Sequence, residues 1–171
     1  KIMKICIYYD SITGNTKKIA DAIYETCKDE VVYCGKPHKL QEADLYFIGS
    51  WTDKGNCSSV IQNLLSSLKN KKIAYFGTCG FGGSSEYYAS LYQRAKSQID
   101  DSNVILGHFF CPGKMPEAIK DRYVKLLQEH PEDKKLQVSL KNFEEVKTRP
   151  NTEDINKAQS WAKEMIKEAL Q

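Results

Sequence analysis

The residues with the most chemistry in this chain sit in one short turn. Asp10-Ser11-Ile12-Thr13-Gly14-Asn15-Thr16 follows the apolar run Ile5–Tyr9 and leads into a helical pattern that begins at Lys17. Hydroxyls, a carboxamide and backbone N–H groups therefore crowd a single strand-to-helix turn. A helix N-terminus carries unpaired N–H donors and a partial positive charge, and Ser, Thr and Asn side chains add neutral donors, so the turn suits the oxygens of a phosphate. Gly14 lets the backbone turn tightly and approach a ligand. A hydroxyl-rich helix cap would use the same residue types, but the full run Ser-x-Thr-Gly-Asn-Thr directly after a first strand favours phosphate binding.

Two later loops could complete a site. Ser50-Trp51-Thr52-Asp53-Lys54-Gly55-Asn56 and Thr78-Cys79-Gly80-Phe81-Gly82-Gly83-Ser84 each follow an apolar run, and each offers one large aromatic side chain. A flat aromatic ligand is held well between such side chains, each stacked pair adding on the order of 1 kcal/mol beyond area burial. Glycines in these loops let backbone donors reach the edge of a ring. Taken alone, Trp51 reads as a half-exposed loop anchor and Phe81 as a plug over a sheet; beside a phosphate turn, both read as contacts to a flat ligand.

The other reactive residue types are scattered. Cys6, Cys27, Cys34, Cys57, Cys79 and Cys111 form no C-x-x-C pair and no Cys/His cluster at zinc spacing, so reduced thiols are expected. Cys6 and Cys27 fall on apolar faces, whereas Cys57 and Cys79 fall in loops that border the proposed site, where small loop residues remain the preferred reading over a redox role. His38, His108 and His130 lie far apart, and no nucleophile–base pair is evident, so no catalytic or metal-binding residue is assigned.

The elements that must position these loops alternate along the chain. Ile5–Tyr9, Val31–Tyr33, Leu45–Ser50, Ile73–Thr78 and Val104–Phe110 read as strands, several apolar on both faces. Between them, Ile19/Ala20/Ile23/Cys27, Val60/Ile61/Leu64/Leu65/Leu68 and Tyr88/Leu91/Tyr92/Ala95/Ile99 recur at helical spacing. Only Cys34–Ala43 lacks such a stripe. A last helix is marked by Asn151 and Thr152 as caps and by Ile155, Ala158, Trp161, Ala162, Met165, Ile166 and Ala169, with Trp161 read as core. Another helical segment starts near Pro116, carries Ile119, Tyr123, Leu126 and Leu127, and ends at Pro131; residues 131–150 read as a packed loop or short helix. Strand–helix alternation with right-handed crossovers predicts a single α/β domain over 1–171, a doubly wound five-stranded parallel sheet with helices on both faces. Ligands of such sheets lie beyond the carboxyl ends of the strands, where strand order switches.

Composition narrows the function classes. With 171 residues, 41% hydrophobic and 27% charged, the chain can bury a core of its own without metal or disulfide support. No apolar run approaches the ~20 residues of a membrane span. The opening segment meets Asp10 before any longer apolar region or cleavage site, so no signal peptide is read and a cytoplasmic location is expected. Lys1-Ile2 ahead of Met3 read as a remnant before the natural initiator. The net charge is +3, with basic and acidic residues interleaved, which speaks against nucleic acid and membrane surfaces as partners.

Taken together, the turn Ser11–Thr16 and the loops Ser50–Asn56 and Thr78–Ser84 resemble the three FMN-binding loops of flavodoxins, a likeness that runs to about Cys111. The resemblance implies a flavodoxin-like fold with strand order 2-1-3-4-5 and FMN as cofactor. It implies phosphate contacts from Ser11, Thr13, Gly14, Asn15 and Thr16. It further implies that the flavin ring is enclosed by Ser50, Trp51, Thr52, Asp53, Gly55, Thr78, Cys79, Gly80, Phe81 and Gly82, with Gly55 the one glycine of the second loop able to allow a peptide flip beside the ring. The implied role is electron transfer to or from a partner oxidoreductase, more a carrier than a self-contained enzyme. An NAD(P)H-dependent FMN or quinone reductase on the same fold is the alternative. A cofactor-free receiver-like module fits the topology but not the hydroxyl-rich first turn, and Asp10 stands nearly alone where a receiver would cluster acids.

Two features depart from ordinary flavodoxins. Those carriers are usually strongly acidic, which steers them to basic partners, whereas this chain is slightly basic. The segment Pro112–Pro150 is additional to a short-chain flavodoxin. With its Gly113-Lys114-Met115-Pro116 and Asn142-Phe143-Glu144-Glu145, it resembles a subgroup of flavodoxin-like proteins of anaerobic bacteria, some of which accompany a reductase, including that of gut bilirubin reduction. This segment is expected to cover the sheet edge, and its Lys134, Lys135 and Lys141 are expected to help dock a partner reductase.

Overall fold

The computed structural model describes residues 2–81 and 84–171. Strand β1 (Ile5–Asp10) leads through the turn into α1 (Asn15–Cys27), then β2 (Val31–Gly35) and β3 (Leu45–Asp53). A two-residue strand β4 (Asn56–Cys57) precedes α2 (Ser59–Ser67), β5 (Lys72–Cys79), α3 (Ser85–Lys96) and β6 (Val104–Pro112). Helices α4 (Glu117–Glu129), α5 (Lys134–Val146) and α6 (Thr152–Ala169) close the chain. The long strands lie parallel in the order β2-β1-β3-β5-β6, while β4 pairs antiparallel with the end of β3. Counting the long strands alone, this is the expected order 2-1-3-4-5. The short β3–β4 hairpin turns on Lys54 (φ 50°) and Gly55 (φ 79°), the consecutive positive φ values that a tight hairpin needs.

Side chains alternate across the strands, so the sheet builds a core on each face. Ile5 and Ile7 of β1, with Phe47, Ala74 and Phe76, pack under Ile19 and Ile23 of α1 and Ala158 and Ala162 of α6. Cys6 and Tyr8, with Tyr46, Ile48 and Tyr75, pack under Ile61 and Leu65 of α2 and under Ala95 of α3. Burial on both sides is why these strands read as continuous apolar runs. Trp161, expected in the core, is only partly buried; its ring lies 5.7 Å from Phe47 and 5.8 Å from Phe109.

The connection from β2 to β3 has no helix, as its sequence predicted, and two tyrosines of the second core hold it. The Tyr8 hydroxyl accepts from Gln41 N at 2.9 Å and donates to Lys39 O at 3.3 Å. The Tyr46 hydroxyl accepts from Ala43 N at 3.0 Å and donates to Gln41 O at 2.6 Å. These rings fill space while their hydroxyls satisfy an extended backbone that has no helix to do so. Tyr46→Phe is therefore expected to destabilise the fold by about 1 to 2 kcal/mol, because a backbone N–H and C=O lose their partner. Urea denaturation checks this, and an unchanged midpoint would mean water replaces the hydroxyl without loss.

Of the two readings open for residues 131–150, packed loop or short helix, the structure shows the helix: α5 takes up 13 residues, Lys134–Val146. Asp133 caps it, accepting from Lys135 N and Leu136 N, and it buries Phe143 and Val146. Helix α4 buries no residue fully. Two helices joined at Pro131 thus follow the carboxyl end of β6 in the chain and precede α6, and they pack on each other. Hydrogen bonds tie them to the loops there, through Asn142 Nδ2 to Gly80 O at 2.7 Å and Lys114 N to Arg149 O at 2.8 Å. No helix among the described residues is long and apolar enough to cross a membrane.

Candidate functional site: a cleft at the carboxyl ends of the strands

The turn between β1 and α1 bends sharply at Gly14. Gly14 has φ 95°, in the left-handed region where a side chain would be strained. Its amide donates to Ser11 Oγ at 3.1 Å, which closes the turn and leaves the Ser11 hydroxyl proton free to donate. Helices α1 and α4 have no side-chain cap, whereas α2, α3, α5 and α6 are capped by Ser58, Ser84, Asp133 and Asn151 respectively. The first-turn amides of α1 thus keep the donors and partial positive charge of an open N-terminus.

The other members of the turn divide by role. Thr13 and Asn15 line a cleft of about 410 Å³. Asn15 Nδ2 also donates to Lys114 O at 2.8 Å. Thr16 lies beneath the cleft, buried, with its hydroxyl 2.8 Å from that of Thr78, a bond that links the first loop to the third across the sheet.

From the second loop, Trp51, Thr52, Lys54 and Gly55 line the cleft. The Trp51 indole N–H donates to Asp10 Oδ2 at 2.9 Å, which fixes the plane of the ring. Thr52 donates to Thr78 O at 2.8 Å. Ser50 is buried and stays out of the cleft; it donates to Trp51 O and accepts from Ser58 N, and so organises the loop from below. Asp53 is exposed and does not line the cleft.

From the third loop, Thr78, Cys79, Gly80 and Phe81 line the cleft, and Gly82 falls outside the described residues. Burial pushes the Cys79 thiol up to about 12, so it stays protonated at neutral pH and behaves as a small apolar wall, not a nucleophile. Tyr87 of α3 stands edge-on to Phe81, with ring centroids 6.4 Å apart, and burial raises its hydroxyl pKa too.

The sequence reading did not assign the fourth wall to the site. Ile12, Gly113, Lys114, Met115, Pro116 and Ile119 also line the cleft. Gly113 donates to Cys79 O at 2.8 Å, and a Cβ there would fall 2.4 Å from Asn15 Nδ2, so only glycine permits this approach to the first turn. Arg149, whose carbonyl holds Lys114, is itself held by Asp154 at 2.6 and 2.7 Å. Burial alone would raise the Asp154 carboxyl, but Arg149 and the Asn151 amide outweigh it and keep the pKa below the ordinary value. The signal in the sequence was Gly113-Lys114-Met115-Pro116 itself, a glycine and a proline bracketing the end of a strand.

The charged side chains on the described wall of the cleft are Lys54 and Lys114, with no carboxylate among the lining residues. The site therefore offers the N-terminus of α1 without a side-chain cap, neutral hydroxyl and amide donors, two cations and a slot bounded by Trp51, Phe81 and Met115. No histidine is among the described lining residues either. His108 stacks on Tyr92 at 3.9 Å away from the cleft, with burial lowering its pKa. Among the described residues no group of three His, Cys, Asp or Glu is placed to hold a metal ion. A surface hollow of about 440 Å³ between Met3, Asp44, Lys71 and Ala169 lies at the other end of the sheet, by the amino ends of the strands.

Comparison with known proteins places this geometry among relatives. The flavodoxin domain family matches residues 6–163. The flavodoxin-like domain-containing protein BilS of Clostridioides difficile (strain CD3) is 37% identical over 172 residues, covering 96% of this chain and 97% of the relative. Among solved structures, a flavodoxin from the domain Archaea superposes with TM-score 0.59 at 14% identity, covering 99% of this chain and all of that one. A flavoprotein from Lactobacillus acidophilus, solved in complex with FMN, superposes with TM-score 0.52 at 19% identity over 64% of this chain and 93% of its own. These structural likenesses are likenesses of fold.

Proposed function

The chain belongs to the flavodoxin domain family, and from that premise we propose that it binds FMN in the cleft and passes electrons to or from a partner oxidoreductase. The observation that carries this reading is the meeting of the uncapped N-terminus of α1 with a slot walled by Trp51 and Phe81 at the switch in strand order. The donor set fits a phosphomonoester and the slot fits a flat ring. Ser11, Thr13 and the first-turn amides would hold the phosphate; Trp51, Thr52, Gly55, Thr78, Gly80 and Phe81 would face the ring; Lys54 and Lys114 would supply positive charge. Asn15, Thr16 and Ser50 act by positioning, through Lys114, Thr78 and Ser58. FMN, when bound, supplies chemistry that takes up and releases electrons one or two at a time. The residues around it bind, orient and exclude water. With no acid–base pair on the described wall, the site is suited to electron transfer and not to bond-making on a separate substrate.

The test is the visible spectrum of the purified protein followed by anaerobic mixing with NADH and NADPH. Bound flavin absorption that persists for minutes after mixing is the expected result. Absence of any flavin binding would overturn the cofactor assignment, and rapid bleaching by either nucleotide would make the protein an NAD(P)H-dependent reductase instead.

A further inference from the structure

We infer that the outer face formed by Phe81 of the third loop and Lys134, Lys135 and Val138 of α5 is the docking surface for a partner oxidoreductase that presents carboxylates around an apolar centre. The inference rests on the electron-transfer reading above and identifies how the partner is recognised.

These side chains, with Ser139, enclose one hollow of about 350 Å³ on the outer surface. Phe81 is common to this hollow and to the cleft, so a partner seated here touches a residue of the flavin slot itself. Phe81 is 43% exposed and Val138 63%, apolar surface that folding leaves uncovered. Beside it stand Lys134 and Lys135, which make no ion pair among the described residues. Lys141, expected to share in docking, lies within 4.0 Å of Glu145 and does not line the hollow.

The position of the two free lysines is informative. They occupy the first turn of α5, just beyond the Asp133 carboxylate that caps the helix. Cations beside exposed apolar side chains complement a partner that is anionic around an apolar centre. A second copy of this chain would oppose lysine with lysine on the same face. The link Asn142 Nδ2 to Gly80 O holds α5 against the third loop, so the docking helix and the slot keep a fixed relation.

The probe is a plant-type [2Fe–2S] ferredoxin, an acidic one-electron protein, reduced in advance. Its Fe(II) centre is oxidised to Fe(III), the flavin gains that electron, and any proton comes from solvent. Stopped-flow reduction of the FMN-loaded protein at low ionic strength is expected to slow about tenfold or more in the Lys134→Glu/Lys135→Glu variant, and the difference is expected to vanish as salt rises. Val138→Glu is expected to slow it as well. The control Lys163→Glu/Lys167→Glu makes the same change in net charge on α6, toward the opposite end of the sheet, and is expected to leave the rate within about twofold of wild type. Equal slowing by both pairs, or by neither, would overturn the docking surface. A dimer of wild-type protein that the α5 variant dissolves would overturn it in favour of self-association. FMN content, read from the spectrum, separates these outcomes from failure of the cofactor assignment. Calorimetric binding of the ferredoxin to flavin-free protein, lost in the α5 variant, tests the surface where no flavin is held.

Discussion

Flavin-free protein titrated with FMN and with riboflavin is expected to bind FMN about a hundredfold more tightly, because two or three hydrogen bonds to a charged phosphate outweigh their desolvation by about 3 kcal/mol. The donors are already in place. Gly14 holds the turn at φ 95°, Ser11 closes it, and α1 has no side-chain cap to compete for the first-turn amides. The effect should be sensitive to the fourth wall. Gly113 packs against Asn15 closely enough that Gly113→Ala forces the two apart, and the FMN preference should shrink while the fold survives. FAD, whose pyrophosphate lacks a G-x-G-x-x-G turn here, is expected to bind more weakly than FMN. Calorimetry with the three flavins decides the matter, and equal affinity for FMN and riboflavin would remove the phosphate role from the turn.

The sheet was legible because the central strands β1, β3 and β5 are buried on both faces and so read as apolar runs, and because helical stripes separate the strands. What escaped the sequence reading was local. Helix α5 buries only Phe143 and Val146, so its periodic signal was diluted by charges and left a packed loop and a short helix both open. The extension of β3 to Asp53 depends on the β3–β4 hairpin, whose turn residues Lys54 and Gly55 mark a bend without fixing the pairing. Residue type marked three loops that the structure brings to one cleft, but side-chain direction was not in the sequence. Ser50 and Thr16 point beneath the cleft because neighbouring backbone and Thr78 offer partners there. Lys114 and Met115 reach the cleft through long-range contacts of the end of β6, with the first turn about a hundred residues earlier, with Cys79 and with Arg149.

Trp51→Ala is expected to weaken FMN binding by about 2 kcal/mol, combining lost apolar burial with lost ring stacking, and to shift flavin fluorescence and reduction potential together. The indole is pre-oriented: its N–H is held by Asp10 Oδ2 at 2.9 Å, and its backbone carbonyl is held by Ser50. Pre-orientation matters because a ring fixed before binding loses little freedom on meeting the ligand. Asp10→Asn keeps an oxygen acceptor for the indole and should cost far less than Trp51→Ala, whereas Asp10→Ala frees the ring and should fall between them. That ordering separates a ring that stacks on flavin from one that only anchors the loop. An anchor would lose thermal stability in all three variants with affinity, fluorescence and potential unmoved. A stacking ring would change all three flavin readouts in step with the freedom given to the indole.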